Sequence, residues 1–259
     1  MRHDTDDHGP DRLLTPYAVI CGIIAAGLLI LGAFVDEQVV SAAFVLAGLV
    51  LAWGWPVLLG LPRPSTSALV LVAGVVAMAV VDLWSDPDDG MRWLTAALAI
   101  VLVLAFLHEL VRTDGREHLV LSIAGAAFGL GILASGAFFR QAMAREHGDL
   151  AIVAAVGATA LGLLVDYLCH RSRRLAEWAL PTALLLGAVL GLIIGLASGA
   201  PWNVLLVTGL VSAGLSHALR RVVGVLPTTA DPAAQLAIGS SGTLVAGLVP
   251  YVALWALVR

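Results

Sequence analysis

The chain has 259 residues, of which 60% are hydrophobic and only 12% charged, and its mean hydropathy is +0.97. Those values lie outside the soluble globular range and exclude a compact water-soluble domain. The formal net charge of −4 is small and scattered over short segments, so nucleic acid is not expected as a partner.

Residues 1–12 are polar, rich in Asp and His, and carry no core-forming pattern; they predict a disordered cytoplasmic tail. A full-length apolar span follows directly, so the tail does not read as a cleavable signal. A bilayer core of roughly 30 Å needs roughly 20 apolar helical residues to cross, and runs of that length recur to the end of the chain. They predict an all-α, polytopic transmembrane helix bundle over 13–259 as a single domain. About nine spans are expected, at 13–35, 39–61, 66–85, 92–111, 118–139, 149–169, 177–198, 201–219 and 234–258. Cys21 and Cys169 both fall inside apolar spans, and no disulfide framework is expected.

Orientation follows from the arginines, because cytoplasmic loops retain basic residues near span ends. A cytoplasmic N-terminus places Arg2, Arg12, Arg63, Arg112, Arg116, Arg171, Arg173, Arg174, Arg220 and Arg221 inside. Only Arg92, Arg140, Arg145 and Arg259 then lie outside, with the C-terminus external. All seven tryptophans fall near predicted span ends, where amphipathic rings settle at the headgroup level.

Along the chain, Asp82 at the end of the third span and Asp86, Asp88 and Asp89 beyond it cluster around Pro87 and Gly90 and read as a solvated acidic turn, with no metal site assigned. The stretch Phe106 to His118 holds His108 and Glu109 just inside the fourth span, then a tight hairpin. Arg140 and Arg145 break the charge rule; either Glu146 and Asp149 offset them or they contact anionic headgroups from outside. In the seventh span Gly187, Gly191, Gly195 and Gly199 recur every four residues, a groove for a neighbouring backbone, with Thr208, Ser212 and Ser216 of the eighth span as its expected mate. Gly125 and Gly129 repeat the pattern more weakly in the fifth. Gly239-Ser240-Ser241-Gly242-Thr243, with Pro250 later in the ninth span, fits either an unwound substrate-binding segment or close packing with hydroxyls bonded back to their own helix.

Ionisable groups are costly in hydrocarbon and carry functional weight. His108 and Glu109 of the fourth span, Asp166 and His170 of the sixth, and His217 of the eighth all fall at one depth near the cytoplasmic face. Arg171, Arg173, Arg174, Arg220 and Arg221 lie beside them as contacts for anionic lipid or phosphate. Three assignments fit this layer. It is a set of local pairs, Glu109 with Arg112 and Asp166 with His170, and snorkelling arginines. Or it is the polar cavity of a transporter, permease-like protein or accessory subunit of a membrane complex, with carboxylates or His217 taking up protons. Or it is an enzyme site for a lipid or lipid-linked phosphate at the cytoplasmic side. No HExxH, P-loop or nucleophile elbow supports the last, and no cofactor is assigned. Membrane lipids are the expected partners, together with a second copy or another membrane protein.

Ala52-Trp53-Gly54-Trp55-Pro56, Leu58 to Pro62, Phe106 to Arg112 and Asp114-Gly115-Arg116 resemble an uncharacterised family of multi-pass membrane proteins from high-GC actinobacteria. The likeness covers mainly the first five spans, and all 14 basic residues being arginine suits such a genome. It implies a bacterial plasma-membrane location and supplies no mechanism.

Overall fold

A backbone amide in hydrocarbon has no water to bond, so each long apolar run must close its hydrogen bonds internally as a helix. The computed structural model describes residues 14–61, 63–84, 90–111, 119–169 and 172–257; the tail 1–12, Asp86, Asp88, Asp89, the hairpin 112–118, His170 and Arg171 lie outside them. The helices are α1 (Pro16–Val35), α2 (Glu37–Leu58), α3 (Pro64–Trp84), α4 (Gly90–Val111), α5 (Leu119–Met143), α6 (Gly148–Cys169), α7 (Arg173–Ser198), α8 (Trp202–Val223), α9 (Pro232–Leu244) and α10 (Leu248–Leu257). Among the described residues nine helical segments are long and apolar enough to cross a bilayer, α9 and α10 together forming one of 26 residues. The chain is therefore an all-α multi-pass membrane protein.

Local chemistry sets the ends. Pro16, Pro64 and Pro232 open α1, α3 and α9, where a missing N–H costs nothing. The Asp231 carboxylate accepts a 2.7 Å bond from the Ala233 amide and caps α9. Gly199, at φ 73°, closes α7 in the left-handed conformation that a glycine adopts without strain.

Two groups of helices pack side by side. In one, α6, α7 and α8 lie against each other; in the other, α2, α3 and α5 pack together and α4 lies against α3 and α5. The α1 helix and α9 join them, α9 touching α1, α2, α5, α6 and α8. Between Ala233 and Leu244 every residue of α9 except Leu236 is buried, so the helix is a central post. Its small side chains permit that: a Cβ on Gly239 would collide with the Ala18 carbonyl of α1, and one on Gly54 of α2 with the Ala233 carbonyl of α9.

The glycine groove of α7 forms as its spacing predicts. A Cβ on Gly187 would stand 2.5 Å from the Gly209 carbonyl oxygen, one on Gly195 2.5 Å from the Trp202 Cα, and one on Gly191 would strike the Leu205 carbonyl. Two details differ from expectation. The facing stripe of α8 is Trp202, Leu205, Gly209 and Ala213, not Thr208, Ser212 and Ser216, which turn away into the bundle core. Gly199 is the helix cap and has no neighbour within 4 Å where its Cβ would be. Gly125 and Gly129 of α5 instead make room for Leu59 and Trp55.

Trp55 also departs from the headgroup assignment. It is fully buried, its indole N–H donates to the Gly125 carbonyl at 2.9 Å, and it stacks edge-on against Phe128 at 5.3 Å. Its ring thus ties α2 to α5, whereas Trp53, Trp84, Trp93, Trp178, Trp202 and Trp255 are exposed.

The ninth span is not unwound at Gly239–Thr243. Ser240 and Ser241 donate back to carbonyls three or four residues earlier, the packing alternative of the sequence. The irregularity lies one turn later, where Val245–Gly247 form a 3-10 turn. Pro250 has no N–H to give the Ala246 carbonyl, so the α-helical ladder fails there. Ser135 of α5 braces the irregular turn: its hydroxyl donates to the Val245 carbonyl at 2.7 Å and accepts from the Leu248 amide at 3.1 Å.

Gly191→Leu should prise α7 from α8 and lower the unfolding midpoint in detergent, overpacking costing about 1–3 kcal/mol. Gly131→Ala, with nothing within 4 Å of its Cβ position, should hold or raise the midpoint, since Ala suits a helix interior better than Gly.

Candidate functional site: a buried charge cluster between α6 and α8

Asp166 lies one turn from the end of α6, and its carboxylate has two partners on α8. Oδ1 stands 2.7 Å from Nδ1 of His217, and Oδ2 accepts a 2.8 Å bond from Nε of Arg220. Nη2 of Arg220 also stands 2.7 Å from Oδ2, a charge contact without the alignment of a hydrogen bond. An ionised carboxylate only accepts, so with Asp166 in that form the hydrogen of this bond belongs to Nδ1 of His217.

The second half of the guanidinium points the other way. Nη1 donates to the Ser216 hydroxyl, which donates in turn to the Gly242 carbonyl of α9 at 2.6 Å. Ser216 and Arg220 are four residues apart and share one face of α8. Two glycines make the slot: a Cβ on Gly162 of α6 would lie 3.3 Å from Nη2 and one on Gly242 3.0 Å from Nη1. Arg220 is 5% exposed, and burial at that level requires the pairing it receives.

Arg220 therefore does not reach lipid as the sequence suggests. The predicted eighth span stops at 219, whereas α8 runs to Val223 and carries Arg220 a further turn along its inward face. Arg174 and Arg221 are exposed and stay on the surface; Arg171 and the side chain of Arg173 lie outside the described residues. So does His170, the expected partner of Asp166; the partners of Asp166 among the described residues are on α8.

His108 and Glu109 form a separate group. The α4 helix packs against α3 and α5, whereas α6 and α8 pack against each other and α7. Glu109 is buried and accepts a 2.7 Å bond from the Ser122 hydroxyl of α5. Nε2 of His108 is buried without a hydrogen-bond partner. The single polar layer of the sequence thus resolves into two clusters on different helices.

A third cluster lies at the opposite end of the bundle. Asp82 is not a solvated turn residue: it is 2% exposed and accepts from the Ser41 hydroxyl at 3.3 Å. Leu71, Val75, Met78 and Asp82 continue one buried stripe of α3, a periodicity present in the sequence. Arg140 pairs with Glu37 at 3.3 Å, and Arg145 donates to the Tyr251 hydroxyl at 3.1 Å and lies 5.1 Å from its ring centre; neither uses Glu146 or Asp149. Among the described residues no three His, Cys, Asp or Glu side chains gather as a metal site would require.

Asp166→Leu or Arg220→Met alone should cost about 3–5 kcal/mol, because each strands a buried charge. The double variant should unfold close to the wild-type midpoint in a detergent melt, since it removes both charges together.

No family model, curated protein or solved structure matches the chain, so the actinobacterial resemblance gains no support from them and the cluster is interpreted from its own geometry.

Proposed function

We propose that the protein is a proton-responsive transporter or permease-like protein of the bacterial plasma membrane, working alone or as a subunit of a larger membrane complex, with Asp166 and His217 as its titrating pair. The observation that carries this is one carboxylate shared by an imidazole and a guanidinium between two buried helices. With Asp166 ionised, Arg220 charged and His217 neutral, the cluster is electrically balanced. Protonating His217 places two cations on one carboxylate; protonating Asp166 strands Arg220. Either event upsets a balance that holds α6 to α8, so binding a proton and shifting the helices are coupled.

The arginine distribution supports a cytoplasmic start for α1, which puts the cluster near the cytoplasmic face. Arg220 is committed to Asp166 and Ser216 and is not turned to a lipid-linked phosphate, which leaves only the surface arginines Arg174 and Arg221 among the described residues of this group for such a substrate.

Proteoliposomes on a solid-supported membrane should give a transient charge displacement on a pH step. His217→Gln, which keeps a donor for Asp166 but cannot titrate, should lose most of it. A wild-type response equal to that of empty liposomes, or an undiminished response in His217→Gln, overturns this function.

A further inference from the structure

Between α3, α4 and α5 lies a small polar pocket lined by Ser67, His108, Glu109 and Ser122 among apolar neighbours, with a cavity volume of about 10 Å³. That is about one water-sized sphere, the least space that accommodates a water molecule. The wall is unusual for a membrane bundle. It carries a carboxylate that is 5% exposed, two hydroxyls and an imidazole whose buried Nε2 has no hydrogen-bond partner. An unsatisfied buried nitrogen costs roughly 1–3 kcal/mol, and a polar space of one sphere beside it is where that cost is relieved.

We propose that this pocket is a second proton-binding site, in which one water bridges Nε2 of His108 and the Glu109 carboxylate and the bound proton is shared between them. The proton comes from solvent, rests on the carboxylate or on Nε2, passes through the bridging water and returns to solvent, so no other reactant is needed. Ser122 holds the carboxylate by its 2.7 Å bond. His108 is only half-buried and lies one turn from the end of α4. Among the described residues of the elements packed against α4, the ionisable side chains are Asp82 of α3 and Arg140 of α5, both at the opposite end, with Arg63 just before α3 at this end. The site does not depend on the Asp166 pair, which sits on other helices.

Infrared difference spectra of the full-length protein in nanodiscs, recorded between high and low pH, test the proposal. A protonated carboxyl band should appear at low pH, disappear in Glu109→Gln and persist in His217→Gln. His108→Gln should change the proton affinity of that carboxyl about tenfold, and Ser122→Ala should shift the band itself, since it removes the bond to the carboxylate. Should Glu109→Gln fail to fold, the His108→Gln and Ser122→Ala spectra decide the matter. A band that ignores both substitutions, or no carboxyl band in the wild type, overturns the second site. A lost pH-step current with this band intact would remove the Asp166 function alone.

Discussion

The close approach of α9 to its neighbours is the constraint from which the rest of the bundle follows. A helix can stand at the centre of other helices only where its side chains are small, and Ala233, Ala234, Ala237, Gly239, Ser240, Ser241 and Gly242 supply that surface. Without water in the hydrocarbon, helix association depends on dispersion contacts and internal hydrogen bonds, both of which need backbones near one another. Gly239 against Ala18 and Gly54 against Ala233 fix α1 and α2 on the post. Gly242 then presents a carbonyl to Ser216 and space to Arg220, so the same packing that builds the core also builds the floor of the charged cluster.

The charged groups are placed with the same economy. Asp166, His217 and Arg220, like His108 and Glu109, sit within about two turns of one end of their helices, and Glu37, Asp82 and Arg140 near the other. At intermediate depth the buried polar side chains are hydroxyls. Thr159, Thr208, Ser240 and Ser241 bond back to their own helices, and Ser135 bridges the break in the ninth span. A charge at the bilayer centre costs at least about 2.5–3.5 kcal/mol even on permissive scales, whereas a hydroxyl bonded to its own backbone costs little. The α8 helix shows the gradation on one stripe, from Arg220 through Ser216 and Ser212 to Thr208.

Much of this was legible in the sequence. The number of spans follows from run length and the α7 groove from four-residue glycine spacing; Asp82, expected in a solvated turn, turns inward instead, on the stripe it shares with Leu71, Val75 and Met78. Three further matters were not legible, each for a physical reason. An arginine at a span end ordinarily snorkels to the headgroups, and only an extra turn of α8 with two facing glycines turns Arg220 inward. A tryptophan near a span end suits the headgroup region, and only the Gly125 carbonyl opposite makes Trp55 a core residue. Equal depth placed Glu109 and Asp166 in one layer, but depth says nothing about position around the bundle. The two carboxylates fall on helices with different neighbours.

That division changes what each carboxylate can do. Asp166 is held by groups from α8, and α9 closes the far side of Arg220, so a change in its charge acts across the junction between the α6–α8 group and the central post. Glu109 is held by Ser122 within the α3–α5 group, and a change there acts on α4, which packs only at the edge of the bundle. Of the two, Asp166 is the one positioned to alter how the two helix groups sit on α9. Any such movement would also have to strain the Ser216 bond to the Gly242 carbonyl, because that hydroxyl is the link through which Arg220 is fastened to the post.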